Sequence, residues 1–150
     1  MKQFLFYTDQ NWAGFVLRLF AGLIMLPHGL QKMFGLFGGS GFSSTMTYFT
    51  VTMKLPWIIS FFIIVTEVFG PAALIAGIGS RISALLFIAI MMGAVITTNY
   101  KNGFFMNWFG TQPGEGFEYH LLLTGICIAL LITGSGKYSV DSWLSKMQGN

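Results

Sequence analysis

Charge is what this chain lacks most. Eight Lys/Arg and five Asp/Glu make up 9% of its 150 residues, while 54% are hydrophobic, and the net charge is only +3. No run of Lys or Arg marks a nucleic-acid surface, so no nucleic-acid partner is expected. Cysteine is nearly absent too. Cys127 is the only one, so there is neither an internal disulfide nor a C-x-x-C pair, which excludes a dithiol oxidoreductase. Cys127 reads as a buried small hydrophobe. No Gly-rich turn opens a βαβ unit, which excludes the common flavin and nicotinamide folds. Ser135 and Ser139 lie in Gly-rich sequence without a G-x-S-x-G elbow, which argues against a classical hydrolase. His28, His120 and Glu118 have no compact metal-ligand spacing, and both histidines fall too near the ends of apolar segments to ligate haem in a core. No metal, flavin or haem is expected.

What the chain does have is long apolar stretches, and these place it in the membrane class. Four spans are read, at residues 12–34, 57–78, 82–100 and 117–133, the last only marginally long for a core of about 30 Å. Arg18 interrupts the first, and Pro27-His28-Gly29 stands where a signal-peptide cleavage site would fall, so it is read as a retained helix. Gly79-Ser80-Arg81 joins the second and third spans in a tight hairpin. Gly70-Pro71 is expected to kink or open the second span. Ala72 with Ala76, Ala73 with Gly77, and Gly93 with Ala94 would let neighbouring helices approach closely. Phe42, Met46, Phe49 and Met53 recur at helical spacing, which predicts a short outer interfacial helix. Phe104, Phe105, Trp108 and Phe109 predict an interfacial or partly re-entrant loop. Val140, Trp143, Leu144 and Met147 share one face of an interfacial C-terminal helix that Ser139 would cap. The expected fold is therefore all-α: one domain over residues 1–150, an integral membrane four-helix bundle.

With four spans, Lys2, Arg81, Lys137 and Lys146 share a side with both termini, and Lys32, Lys54 and Lys101 lie opposite. The positive-inside rule then puts both termini in the cytoplasm of a multi-pass protein of the bacterial inner membrane.

Five ionisable groups survive in or at the edges of the spans: Arg18, His28, Glu67, Glu118 and His120. A charge in hydrocarbon costs roughly 3 kcal/mol or more unless it is paired or wetted. Counted from the ends of their helices, Arg18 and Glu67 differ in depth by about 6 Å. An Arg18–Glu67 pair is thus expected, either as a structural ion pair or as a proton or ligand site. His28, Gln31 and Lys32 share one face near the outer surface, and Glu118, Tyr119 and His120 open the fourth span on the same side. Positions two apart point about 200° apart on a helix, so Glu118 and His120 cannot both face one partner. Glu118, favoured by the helix dipole, is taken as the inward one. Either these groups only mark the interface, with Lys32 snorkelling, or they line a pocket for a polar headgroup or a quinone ring.

Arg18-Leu19, Pro27-His28-Gly29-Leu30-Gln31-Lys32, Glu67 with Gly70, Gly77-Ile78-Gly79-Ser80-Arg81, Gly116-Phe117-Glu118-Tyr119 and the stretch from Leu131 to Asp141, in this order, resemble the DoxX family of small bacterial membrane proteins. The resemblance implies a four-helix membrane protein linked to redox chemistry. Relatives are described as membrane subunits of quinone-linked thiosulfate oxidation or as partners in an oxidative-stress complex. Family-pattern positions map onto Arg18, His28, Gln31, Lys32, Glu67 and Glu118, whereas His120 and the loop around Trp108 lie outside the pattern. Three functions stay open: a quinone-binding subunit with a redox partner protein, a non-enzymatic assembly module, and a small transporter or lipid-handling protein. Beyond the bilayer and that partner, a homo-oligomer is compatible with each.

Overall fold

The computed structural model describes Thr8 and residues 10–148, and every regular element among them is helical. Lys2, counted above for orientation, lies outside the described residues. Helix α1 spans Trp12–Phe34 and α2 spans Gly41–Thr47, extended by a π-helical turn at Tyr48–Thr52. Helix α3 is Trp57–Ala76. Helix α4 is Ser80–Ala94, continued by a π-helical turn at Val95–Asn99 and a final turn to Asn102; α5 is Glu118–Thr133 and α6 is Val140–Gln148. Helices α1, α3 and extended α4, with 23, 20 and 23 residues, are long and apolar enough to cross a membrane. Helix α5 is equally apolar, but its 16 residues span only about 24 Å.

Burial follows a lipid solvent. Phe20 and Leu23 on α1, Phe62 and Phe69 on α3, and Leu85 and Ile96 on α4 are exposed. The core gathers Ala21 and Met25 from α1, Leu74 from α3, Phe87 and Met91 from α4, and Leu123, Cys127 and Leu130 from α5. Helical hydrogen bonding satisfies most backbone groups along each span, as hydrocarbon requires, with Pro27 in α1 and Pro71 in α3 each leaving one carbonyl without its intrahelical donor.

Local chemistry sets the helix ends. The Asn11 side chain accepts from the Gly14 N–H at 2.6 Å and caps α1, and Gly35 closes it at φ 71°. The turn between α3 and α4 is Gly77-Ile78-Gly79, with both glycines left-handed (φ 70° and 56°), a conformation that costs glycine little. The hairpin thus falls two residues earlier than expected, and Ser80 and Arg81 already belong to α4. Helix α3 runs unbroken through Gly70-Pro71, with Pro71 buried, so the expected opening is absent. Pro71 has no N–H for the Glu67 carbonyl, and at that carbonyl α1 comes closest, through Gly29.

The α1–α3 interface fixes the register of the site. Gly22 lies against Pro71 and Ile75, and Gly29 against the backbone of Glu67 and Val68, where a Cβ would have no room. Close approach therefore comes from glycines of α1. Ala72 and Ala76 of α3, expected to serve it, are exposed, and Gly93 of α4 faces open space. Helix α2 packs inward through buried Met46 and the edge contact of Phe42 with Phe61 (6.4 Å). Phe104, Phe105, Trp108 and Phe109 are exposed in their loop, and Ser139 accepts from the Ser142 N–H (3.1 Å) to cap α6.

Candidate functional site

The buried charges form two clusters, one at each end of α1. At the tail end, near α6, Arg18 is 1% exposed and donates to five backbone carbonyls. Nε reaches Ser135 at 2.8 Å, Nη1 reaches Leu74 (3.0 Å) and Ile75 (2.5 Å), and Nη2 reaches Lys137 (3.1 Å) and Tyr138 (2.7 Å). Leu74 and Ile75 are in the last turn of α3, whose carbonyls carry the negative end of the dipole; Leu74 also accepts from the capping Gly77 N–H at 3.1 Å. Beside it, the buried Asp141 carboxylate accepts from the N–H groups of Gly79 (2.8 Å) and Ser80 (3.2 Å) and from the Ser135 hydroxyl. It caps α4 from a different helix. Arg81 Nε donates to the Leu131 carbonyl at 2.8 Å. This cluster ties α1, α3, α4 and the chain leaving α5 to α6.

The expected Arg18–Glu67 pair does not form. Arg18 lies level with the end of α3, and Glu67 sits about 12 Å further along that helix, eight residues before Ile75. Glu67, 2% exposed, pairs with Lys32: Nζ donates to Oε1 at 2.7 Å and stands 2.5 Å from Oε2. Helix side chains tilt towards the N-terminus, so Lys32 reaches back one turn to the level of Gly29 and Glu67. Its ammonium also lies 5.8 Å from the centre of the Phe49 ring.

Glu67, Lys32 and His120 meet at one cavity of about 490 Å³ towards the loop end of the bundle. Ile59 and Ile63 of α3, Ala89, Ile90, Gly93 and Ala94 of α4, and Phe49, Met53 and Leu55 give it apolar walls. Thr97, Thr98 and Asn99, on the π-helical turn that extends α4, add polar groups. Such turns widen a helix locally and often occur where side chains must be re-aimed. Asn99 is tied down by its amide, which donates to the Glu115 carbonyl at 2.9 Å. His120 Nδ1 is buried and has no hydrogen-bond partner. Among the described residues, no three of His, Cys, Asp and Glu cluster closely enough to hold a metal ion.

The remaining predicted site residues go elsewhere. Glu118 accepts from the Trp108 indole N–H at 3.1 Å and so anchors the aromatic loop. His120, not Glu118, is the inward member of that pair. Gln31 donates to the Phe37 carbonyl at 3.1 Å and holds the turn after α1. His28 is exposed, with its ring 6.2 Å from that of Tyr119, whose hydroxyl donates to the Met25 sulfur. Sequence reasoning missed Thr97-Thr98-Asn99, though three polar residues in an apolar run were a usable signal. It also missed Asp141 and Arg81 as buried groups, for which spacing gives no sign.

A family model described as DoxX matches residues 13–100. A protein of Bacillus subtilis (strain 168) named "Putative oxidoreductase CatD" is 33% identical over 135 residues, which are 90% of this chain and 89% of that protein. No solved structure matches the chain.

Proposed function

This chain belongs to the DoxX family, and from that premise we propose that it is a quinone-linked redox subunit whose ligand binds in the cavity at Lys32, Glu67 and His120. The observation that carries this reading is the buried His120 Nδ1, left without a partner at the wall of a mostly apolar cavity. A buried polar atom without a partner costs about 1–3 kcal/mol, a cost that a ligand with a matching polar group removes. The cavity volume and lining, mostly apolar with a few convergent polar groups, suit a small ring with polar substituents. The name of the Bacillus subtilis relative supports the redox half of the reading.

A bound quinone supplies the capacity to take up two electrons and two protons. His120 holds or passes a proton at Nδ1. Glu67 holds the Lys32 ammonium at the cavity wall, where it can bind a polar substituent of the ring. Phe49 and Met53 keep bulk water from this corner. The chain has no dithiol, and in this reading electrons arrive from a partner protein or directly from a bound reductant. In this reading α5 makes a fourth crossing, helped by the Phe104–Phe109 loop seated in the interface, and both termini are cytoplasmic in the bacterial inner membrane.

Binding of a short-tailed benzoquinone to the protein in lipid nanodiscs tests this. Saturable binding should weaken at least tenfold in Glu67→Gln and in His120→Ala and persist in His28→Ala. No saturable binding to the wild type would refute the function, and unchanged binding in the first two variants would refute the site. The assembly-module reading predicts instead that Lys32→Met with Glu67→Leu leaves function intact.

A further inference from the structure

The cavity has a side that faces lipid. On α4 the exposed residues Leu85, Leu86, Met92 and Ile96 form an outward stripe, and Ala89, which lines the cavity, is exposed on the same stripe. On α3, Ile59 lines the cavity and is itself exposed, beside outward-facing Ile58 and Phe62. Towards the tail end the two helices close up, where Gly70 meets the Phe87 ring. Towards the loop end they stand apart around the cavity. Gly93 lies in this gap, and a Cβ built on it would meet no atom within 4 Å. A glycine in a helix interior is unfavourable, and here no neighbouring backbone requires it. What it provides is open space.

The geometry points to lateral entry: the ligand is a bilayer-dissolved amphiphile that slips between α3 and α4, its polar ring against Lys32, Glu67 and His120 and its apolar tail leaving past Ile59 and Ala89, with Gly93 keeping the seat open. This rests on the ligand reading above and adds the substrate class and a specificity-determining residue. The polar groups lie at the inner end of the gap and the apolar walls line its way out, so the ligand's polarity must run in the same sense. A water-soluble reductant has no such match.

The test uses the full chain in nanodiscs with two carbene-generating reagents, one apolar and dissolved in the lipid, one water-soluble, with labelled residues read by mass spectrometry. The lipid-dissolved reagent should label cavity-facing Ile63 and Ala94. In Gly93→Leu that labelling should fall at least fivefold, while outward Leu85 and Ile96 label as before and the melting temperature does not drop. Ala89→Phe, at the mouth, should give the same loss by a second route. Labelling of Ile63 and Ala94 by the water-soluble reagent alone, or unchanged lipid-phase labelling in both variants, would overturn lateral entry. A benzoquinone with a ten-carbon tail separates the two proposals. If it binds wild type and Gly93→Leu equally, lateral entry falls and the quinone site stands. If it fails to protect Ile63 and Ala94 while both variants lose labelling, the entry route stands and the quinone reading falls.

Discussion

Replacing Arg18 by methionine removes five hydrogen bonds at once and leaves the carbonyls of Leu74, Ile75, Ser135, Lys137 and Tyr138 without that donor. Intramembrane hydrogen bonds average roughly 0.6 kcal/mol each, which gives a lower figure of about 3 kcal/mol for the set. The ~1 kcal/mol typical of soluble proteins gives about 5 kcal/mol. Against a total stability of about 5–15 kcal/mol, Arg18→Met should bring the fold near its threshold. Arg18→Lys, with three N–H groups for five acceptors, should lose roughly half as much. Equilibrium unfolding in mixed detergent–SDS micelles, followed by circular dichroism, reads these losses. The same assay decides where the partner of Arg18 lies. If Arg18 and Glu67 do not touch, combining Arg18→Met with Glu67→Leu should be additive within about 0.5 kcal/mol. A coupling above about 1 kcal/mol, or a loss for Arg18→Met alone below about 1 kcal/mol, would refute the reasoning.

Lys32→Met should destabilise by about 2 kcal/mol, below the usual cost of breaking a buried pair because the Lys32 side chain is 34% exposed, and adding Glu67→Gln should restore most of it in the same unfolding assay. Gly29→Ala puts a methyl group onto the Glu67 backbone and should cost about 1–3 kcal/mol as overpacking does, visible as a lower melting temperature together with weaker quinone binding, since it shifts Lys32 from Glu67.

The spans could be read from the sequence because lipid imposes a simple demand: an uncharged run of helical length. Trp12–Phe34 and the start of α3 at Trp57 fall where expected for that reason. The cap at Ser139 was readable because its chemistry is local, and the glycine hairpin between α3 and α4 was readable to within two residues. The pairing of charges was not, because it depends on the relative shift of two helices. Depths counted from each helix end treat α1 and α3 as flush. Gly29 lies opposite Glu67, yet α1 ends at Phe34 while α3 reaches back to Trp57, so α3 extends beyond α1 by about 8 Å. That offset takes Glu67 from Arg18 and gives it to Lys32. The choice between Glu118 and His120 failed for a related reason. The angular argument was sound, but the dipole stabilises an acid anywhere around the first turn, and the Trp108 indole drew Glu118 outward.

The two polar clusters solve the same desolvation problem in opposite ways, and the contrast supports the proposed ligand site. At the tail end, Arg18 and Asp141 are met by carbonyls, amide N–H groups and a hydroxyl drawn from three segments of chain. Such an arrangement holds helices in register. At the loop end, one ion pair stands beside open space, a histidine nitrogen has no partner, and a helix carries a glycine where a side chain would meet no neighbouring helix. Each of those three features costs stability. A bundle needing only to hold itself together could fill the space with Leu and replace the pair by apolar residues at little or no loss. The fold is secured at one end of α1, and the stability forgone at the other end keeps a polar pocket open within the membrane.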